Sequence, residues 1–131
     1  MTKQNPTPHI LVISRTEDDQ AYLEDFFERT PLPKPDFVIG KFVPSDKYDF
    51  LVFNSRNLPI YKAENVIALS DDEQKFLYLL DRYISDTNKY IVFFGAYYYN
   101  LNYERCQAAN SKFSLYARLR EMIDFIGNYR Q

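Results

Sequence analysis

One cysteine and one histidine in 131 residues leave no disulfide framework to build, and no zinc site made of several Cys and His ligands from this chain alone. The three glycines, Gly40, Gly95 and Gly127, are too few and too scattered for a Gly-rich phosphate loop. No apolar run approaches bilayer-spanning length, and Met1 to Pro8 lack the apolar core of a secretory signal, so the reading is a cytoplasmic chain with no membrane role. Lys and Arg form no block, and the formal net charge is -2, which argues against a general nucleic-acid partner. Tryptophan is missing altogether, yet the chain holds 12 Tyr and 11 Phe. With 46% hydrophobic and 26% charged residues, it has the apolar content of a chain that folds. Its length fits a single domain, read as a polar leader over 1–8 and one α/β domain over 9–131.

The hydrophobic pattern supplies the elements. His9-Ile10-Leu11-Val12-Ile13 is apolar without alternation, as in a strand covered on both faces. Thr16 stands three residues before Asp19 in the manner of a capping box, and Tyr22, Leu23, Phe26 and Phe27 then share one helix face until Pro31, Pro33 and Pro35 stop it. Phe37 to Phe42 reads as a shorter strand near an edge, and Tyr48 to Phe53 as a second buried strand ending at Asn54. Ser55 to Leu69 lacks a period and reads as a long loop, with room for a short strand at Asn65 to Ala68. Ser70-Asp71-Asp72-Glu73 opens a second helix carrying Phe76, Leu77, Leu80, Tyr83 and Ile84. Tyr90 to Phe94 is a third buried strand ending at Gly95. From Ser111 a final helix carries Leu115, Tyr116, Leu119, Met122, Ile123 and Ile126, with Gly127 placed as its stop. No convincing strand is visible between Gly95 and Ser111, where Tyr97 to Asn110 fits either a short helix or a strand. This order predicts a three-layer α/β sandwich with a mostly parallel central sheet, flavodoxin-like, whose ligands or partners meet loops beginning at Ser14, Asn54 and Gly95.

Several of these stretches resemble the receiver domains of two-component response regulators. Ile10 to Ile13 with the helix at Tyr22-Leu23-Glu24-Asp25-Phe26-Phe27 is similar to that family's opening. Asp49 to Asn54 followed by Leu58-Pro59 is similar to its third strand and trailing Leu/Met-Pro, with one extra residue before the proline. Ile91 to Ala96 resembles its fourth strand, and Lys112-Phe113 its Lys-Pro step. The resemblance implies an acidic pair for Mg²⁺ after the first strand, an Asp phosphoacceptor after the third, a hydroxyl after the fourth and a Lys for the acyl phosphate. At those positions stand Ser14 and Arg15, Asn54, Gly95 and Lys112. An amide forms no acyl phosphate, and a Ser/Arg pair does not offer Mg²⁺ the carboxylate oxygens it prefers, so the resemblance is to a degenerate, phosphorylation-incompetent receiver with no cofactor and no metal.

Other residues admit two readings each. Glu17, Asp18 and Asp19 are either a displaced metal cluster or the acidic first turn that any helix favours. Ser14, Arg15 and Asn54 either line a pocket in which Arg15 meets a phosphate or carboxylate, or cap a loop and pair at the surface. Cys106 beside Arg105 forms a dyad with His9 only if the fold brings the two together. Ser111 to Ser114, with Arg118 and Arg120, suits an anion or a plain helix cap. Tyr97, Tyr98, Tyr99 and Tyr103 concentrate aromatic rings in a predicted loop and are the candidate interface. The functional expectation is a non-catalytic regulatory module that binds a protein partner or its own copy. The alternative is a TIR-like or flavodoxin-like nucleotide-binding domain or enzyme using the Ser14, Asn54 and Gly95 rim, for which Glu64, Glu73 or Glu104 would have to supply a catalytic carboxylate.

Overall fold

The computed structural model describes residues 7–56, 70–86, 88–95 and 106–129. Its elements run β1 (Ile10–Ser14), α1 (Glu17–Glu28), β2 (Asp36–Ile39), β3 (Phe50–Asn54), α2 (Asp71–Asp86), β4 (Tyr90–Phe94), β5 (Cys106–Ala109) and α3 (Lys112–Tyr129). The strands form one sheet in the order β2-β1-β3-β4-β5, and every pairing is parallel. Alternate residues of the central strands feed two apolar layers. Ile10, Val12, Phe50, Val52, Val92 and Phe94 pack with Leu23, Phe26 and Phe27 of α1 and with Leu115, Leu119 and Met122 of α3. Leu11, Ile13, Leu51, Phe53, Ile91 and Phe93 pack on the opposite face with Phe76, Leu80, Tyr83 and Ile84 of α2. The result is a three-layer α/β sandwich of the flavodoxin-like kind.

Local chemistry sets the helix starts. Thr16 is extended and its hydroxyl accepts from the Asp19 N–H at 3.2 Å. Ser70 and Glu73 bond reciprocally, the Ser70 N–H to Glu73 Oε1 at 2.9 Å and the Glu73 N–H to Ser70 Oγ at 3.2 Å. The same exchange links Ser111 and Ser114 at 3.0 and 3.1 Å.

The sheet is parallel as expected, and wholly so. Three features of its elements differ from the sequence expectation. Cys106–Ala109 supplies a fifth strand. β2 ends at Ile39, because Gly40 turns the chain at φ 61° while its N–H still reaches Ser14 O at 2.9 Å. Phe42 and Val43 therefore leave the sheet and fold over α2. There the buried Tyr83 hydroxyl accepts from the Val43 N–H at 2.8 Å and donates to Lys41 O at 2.9 Å, a bridge that holds the β2–β3 connection where no helix is present. Burial pushes the Tyr83 phenol above its ordinary value. Lastly, α3 continues through Gly127 to Tyr129, since one glycine costs a helix only about 1 kcal/mol against alanine and need not end it. Among the described residues no helix is long and apolar enough to cross a membrane. The short strand expected at 65–68 lies outside the described residues.

Candidate functional site

Ligands of doubly wound sheets sit beyond the carboxyl ends of the strands, where successive connections leave in opposite directions. In the order β2-β1-β3-β4-β5 that point falls between β1 and β3. Buried polar groups collect there. Ser14, Asp19, Asn54 and Ser55 are each at most 1% exposed, and Ser45 is the other buried polar side chain among the described residues.

Ser14 and Asn54 stand opposite each other at the last rung of the β1–β3 ladder. The Asn54 amide donates to Ser14 Oγ at 3.1 Å and to the Asp19 carbonyl at 2.7 Å, while its oxygen accepts from the Arg56 N–H at 3.3 Å. One side chain thus ties β1, the first turn of α1 and the exit of β3 together. Arg56 then turns its guanidinium onto Asp19 Oδ1 at 3.4 Å, with Asp19 1% and Arg56 36% exposed. The same guanidinium lies 4.0 Å from the centre of the Tyr22 ring, and the Lys112 ammonium lies 4.4 Å from that centre. Lys112 also reaches Asp25 at 4.0 Å.

Gly95 closes the fourth side. Its N–H bonds Ala109 O at 2.9 Å, and its φ of 112° is a conformation that side chains rarely adopt. A Cβ there would stand 2.7 Å from the Arg56 nitrogen and 2.9 Å from its Cα. The absence of a side chain at Gly95 is what lets the Arg56 backbone lie against β4.

The positions named from sequence therefore separate. Ser14, Asn54 and Gly95 meet in one closed cluster. Lys112 is held one layer away, against Tyr22 and Asp25. Arg15 leaves the cluster for the other side of β1, where with Thr16, Gly40, Asp72, Lys75, Phe76 and Leu79 it lines a cleft of about 220 Å³. Asp19 is neither part of a metal cluster nor a solvated helix-end charge; it is buried and paired. Glu17 and Asp18 are exposed. Among the described residues no group of three His, Cys, Asp or Glu is placed to hold a metal. The sequence marks Tyr22 only as a helix-face residue and gives Arg56 no role; the available signal is a cation two residues past a strand-end Asn, facing an acid in the first turn of α1.

The remaining candidates resolve by topology. His9 immediately precedes β1 and Cys106 begins β5, three strand steps apart or about 14 Å, too far for a dyad. Glu73 is engaged by Ser70, whose backbone N–H chiefly holds its carboxyl below the ordinary range. Arg118 pairs with Glu121 at 3.5 Å and Arg120 with Asp124 at 3.6 Å, away from the Ser111 cap. Tyr97, Tyr98, Tyr99 and Tyr103, with Glu64 and Glu104, lie outside the described residues.

Fold and cluster together define a flavodoxin-like α/β domain whose strand-end crevice is filled by its own side chains. No family model, curated protein or solved structure matches the chain.

Proposed function

We propose that the protein is a non-catalytic regulatory module, resembling a phosphorylation-incompetent receiver, that works by binding a protein partner or a second copy of itself. The observation that carries this reading is the filled β1–β3 crevice. Where the resemblance implies carboxylates open to Mg²⁺ and a phosphoacceptor, Asn54 spends its amide on Ser14 and Asp19, and the buried Asp19 carboxylate is met by Arg56. The Asp19 carboxylate already has a guanidinium as its counter-charge, and among the described residues the cluster offers no open carboxylate to Mg²⁺ or a phosphodonor. Phe113 supports a binding role. It lies in the first turn of α3, on the strand-end side of the sheet, and is 86% exposed. The Tyr97 to Tyr103 sequence adds aromatic groups suited to an interface.

Two readouts on the full chain test this. Incubation with Mg²⁺ and acetyl phosphate should leave the intact mass unchanged; a covalent phosphate would sink the reading. Association, followed by sedimentation velocity and by capture of a specific partner, should fall in Phe113→Ser and in the double variant Tyr98→Ser/Tyr99→Ser while thermal stability stays nearly constant. Association that survives both variants removes the proposed surface.

A further inference from the structure

The crevice between β1 and β3 is closed, but an opening remains beside it at the same end of the sheet. It lies between the turn after β1, the exit of β2 and the first turns of α2, and it measures about 220 Å³. Arg15 and Lys75 bring two cations to its wall, and neither forms an ion pair among the described residues. Arg15 Nε is enclosed and has no hydrogen-bond acceptor among the described residues. The acid whose titration Arg15 influences, Glu73, is already committed to Ser70. A guanidinium that lines a cleft and has no counter-ion among the described residues favours an anion entering there.

The rest of the wall limits what could bring that oxygen. Phe76 and Leu79 provide an apolar side, Asp72 an acceptor, and Gly40 an open edge, since a Cβ there would meet nothing within 4 Å. We propose that this cleft binds a small phosphate monoester. The phosphate is held between the Arg15 guanidinium and the Lys75 ammonium, the body packs on Phe76 and Leu79, and a hydroxyl or amine of that body donates to Asp72. Two cations match a phosphate dianion better than a single carboxylate, and the volume suits a phosphorylated sugar rather than a dinucleotide. The site shares no side chain with the Asn54 cluster and stands independently of the proposed interaction role.

Titration of the full chain with ribose 5-phosphate, inorganic phosphate and ribose tests it, with heat of binding and the side-chain N–H resonance of Arg15 as readouts. Ribose 5-phosphate should bind and move that resonance, and ribose should not. Arg15→Gln should weaken binding about tenfold or more, and Lys75→Gln, at an exposed helix position that does not bear on folding, several-fold. Arg118→Gln on α3 should leave it unchanged. No binding up to about 10 mM, or equal affinity in the Lys75 variant, overturns the proposal. Inorganic phosphate binding as tightly as the ester overturns the part given to Phe76, Leu79 and Asp72.

Discussion

Replacing Arg56 by methionine keeps the length of its apolar stem and removes the cation from Asp19. Breaking a fully enclosed ion pair from one side costs about 3–5 kcal/mol, because a charge stays buried. Water reaches Arg56, which is 36% exposed, so the expected loss lies below that range, at about 2–3 kcal/mol. Loss of the guanidinium 4.0 Å from the Tyr22 ring adds about 0.5 kcal/mol. Against the total stability of an ordinary domain, about 5–15 kcal/mol, the sum is a large fraction. Asp19→Asn should cost less, about 1 kcal/mol, since it preserves shape and the backbone N–H to Thr16 while removing the charge that needs a partner. The double variant Asp19→Asn/Arg56→Met should then be more stable than Arg56→Met alone, a coupling of opposite sign to simple addition. Urea unfolding followed by far-ultraviolet circular dichroism measures all four proteins. An Arg56→Met protein within about 0.5 kcal/mol of the parent, or strictly additive losses, would refute the reading of this pair.

Gly95→Ala places a Cβ 2.7 Å from backbone that cannot swing away and holds it at φ 112°, so a loss of about 3 kcal/mol or more is expected. Gly40→Ala has the same kind of backbone constraint at φ 61° but open space around the new methyl, so about 1 kcal/mol is expected, and equal melting temperatures for the two variants would contradict the packing argument. The Tyr48 hydroxyl, 2.8 Å from Asp36, is the main reason that the Asp36 carboxyl titrates below its ordinary value of 3.8, with Lys47 adding to it. A lowered folded-state value contributes stability that is present above the unfolded value and lost as pH falls through the folded one. The gap in urea midpoint between the parent and Asp36→Asn should therefore narrow from about pH 6 to about pH 3, and a constant gap would count against the bond.

The fold was legible wherever a strand is buried on both faces or a helix carries a full stripe. Leu11 to Ile13, Leu51 to Phe53 and Ile91 to Phe93 have no polar alternation because α1 and α3 cover one side of the sheet and α2 the other. Cys106–Ala109 was not legible as a strand. It has no β-branched or large aromatic residue and lies at the sheet edge, so its pairing with β4 comes from tertiary context and not from side-chain propensity. Phe42 misled for the opposite reason. It has a strand-like side chain, but Gly40 turns it out of the ladder, and Tyr83 bonds the backbone on either side of it, at Lys41 O and the Val43 N–H.

The site was legible in its places and not in its contacts. The resemblance set Ser14, Asn54 and Gly95 at adjacent strand ends, and parallel pairing alone brings such ends together. What fills the space between them depends on side chains of α1 and of the β3 exit and on the absence of one at Gly95. Asp19 looked like any first-turn acid, since a helix dipole favours a carboxylate there whether it is solvated or buried. The distinction lies in Arg56, which is 37 residues away in the chain and can reach Asp19 because Asn54 fixes its N–H and Gly95 leaves room for its backbone. A buried carboxylate needs a counter-charge, and here a residue of the fold provides it without any ion from solution. The pair that fills the crevice is thus also what fixes the β3 exit. It also implies an order of dependence: Gly95 permits the Arg56 backbone, Asn54 orients it, and only then does the guanidinium meet Asp19. Substitution at Gly95 should therefore disturb the Asp19 pair, whereas substitution at Asp19 should leave the Gly95 contact in place.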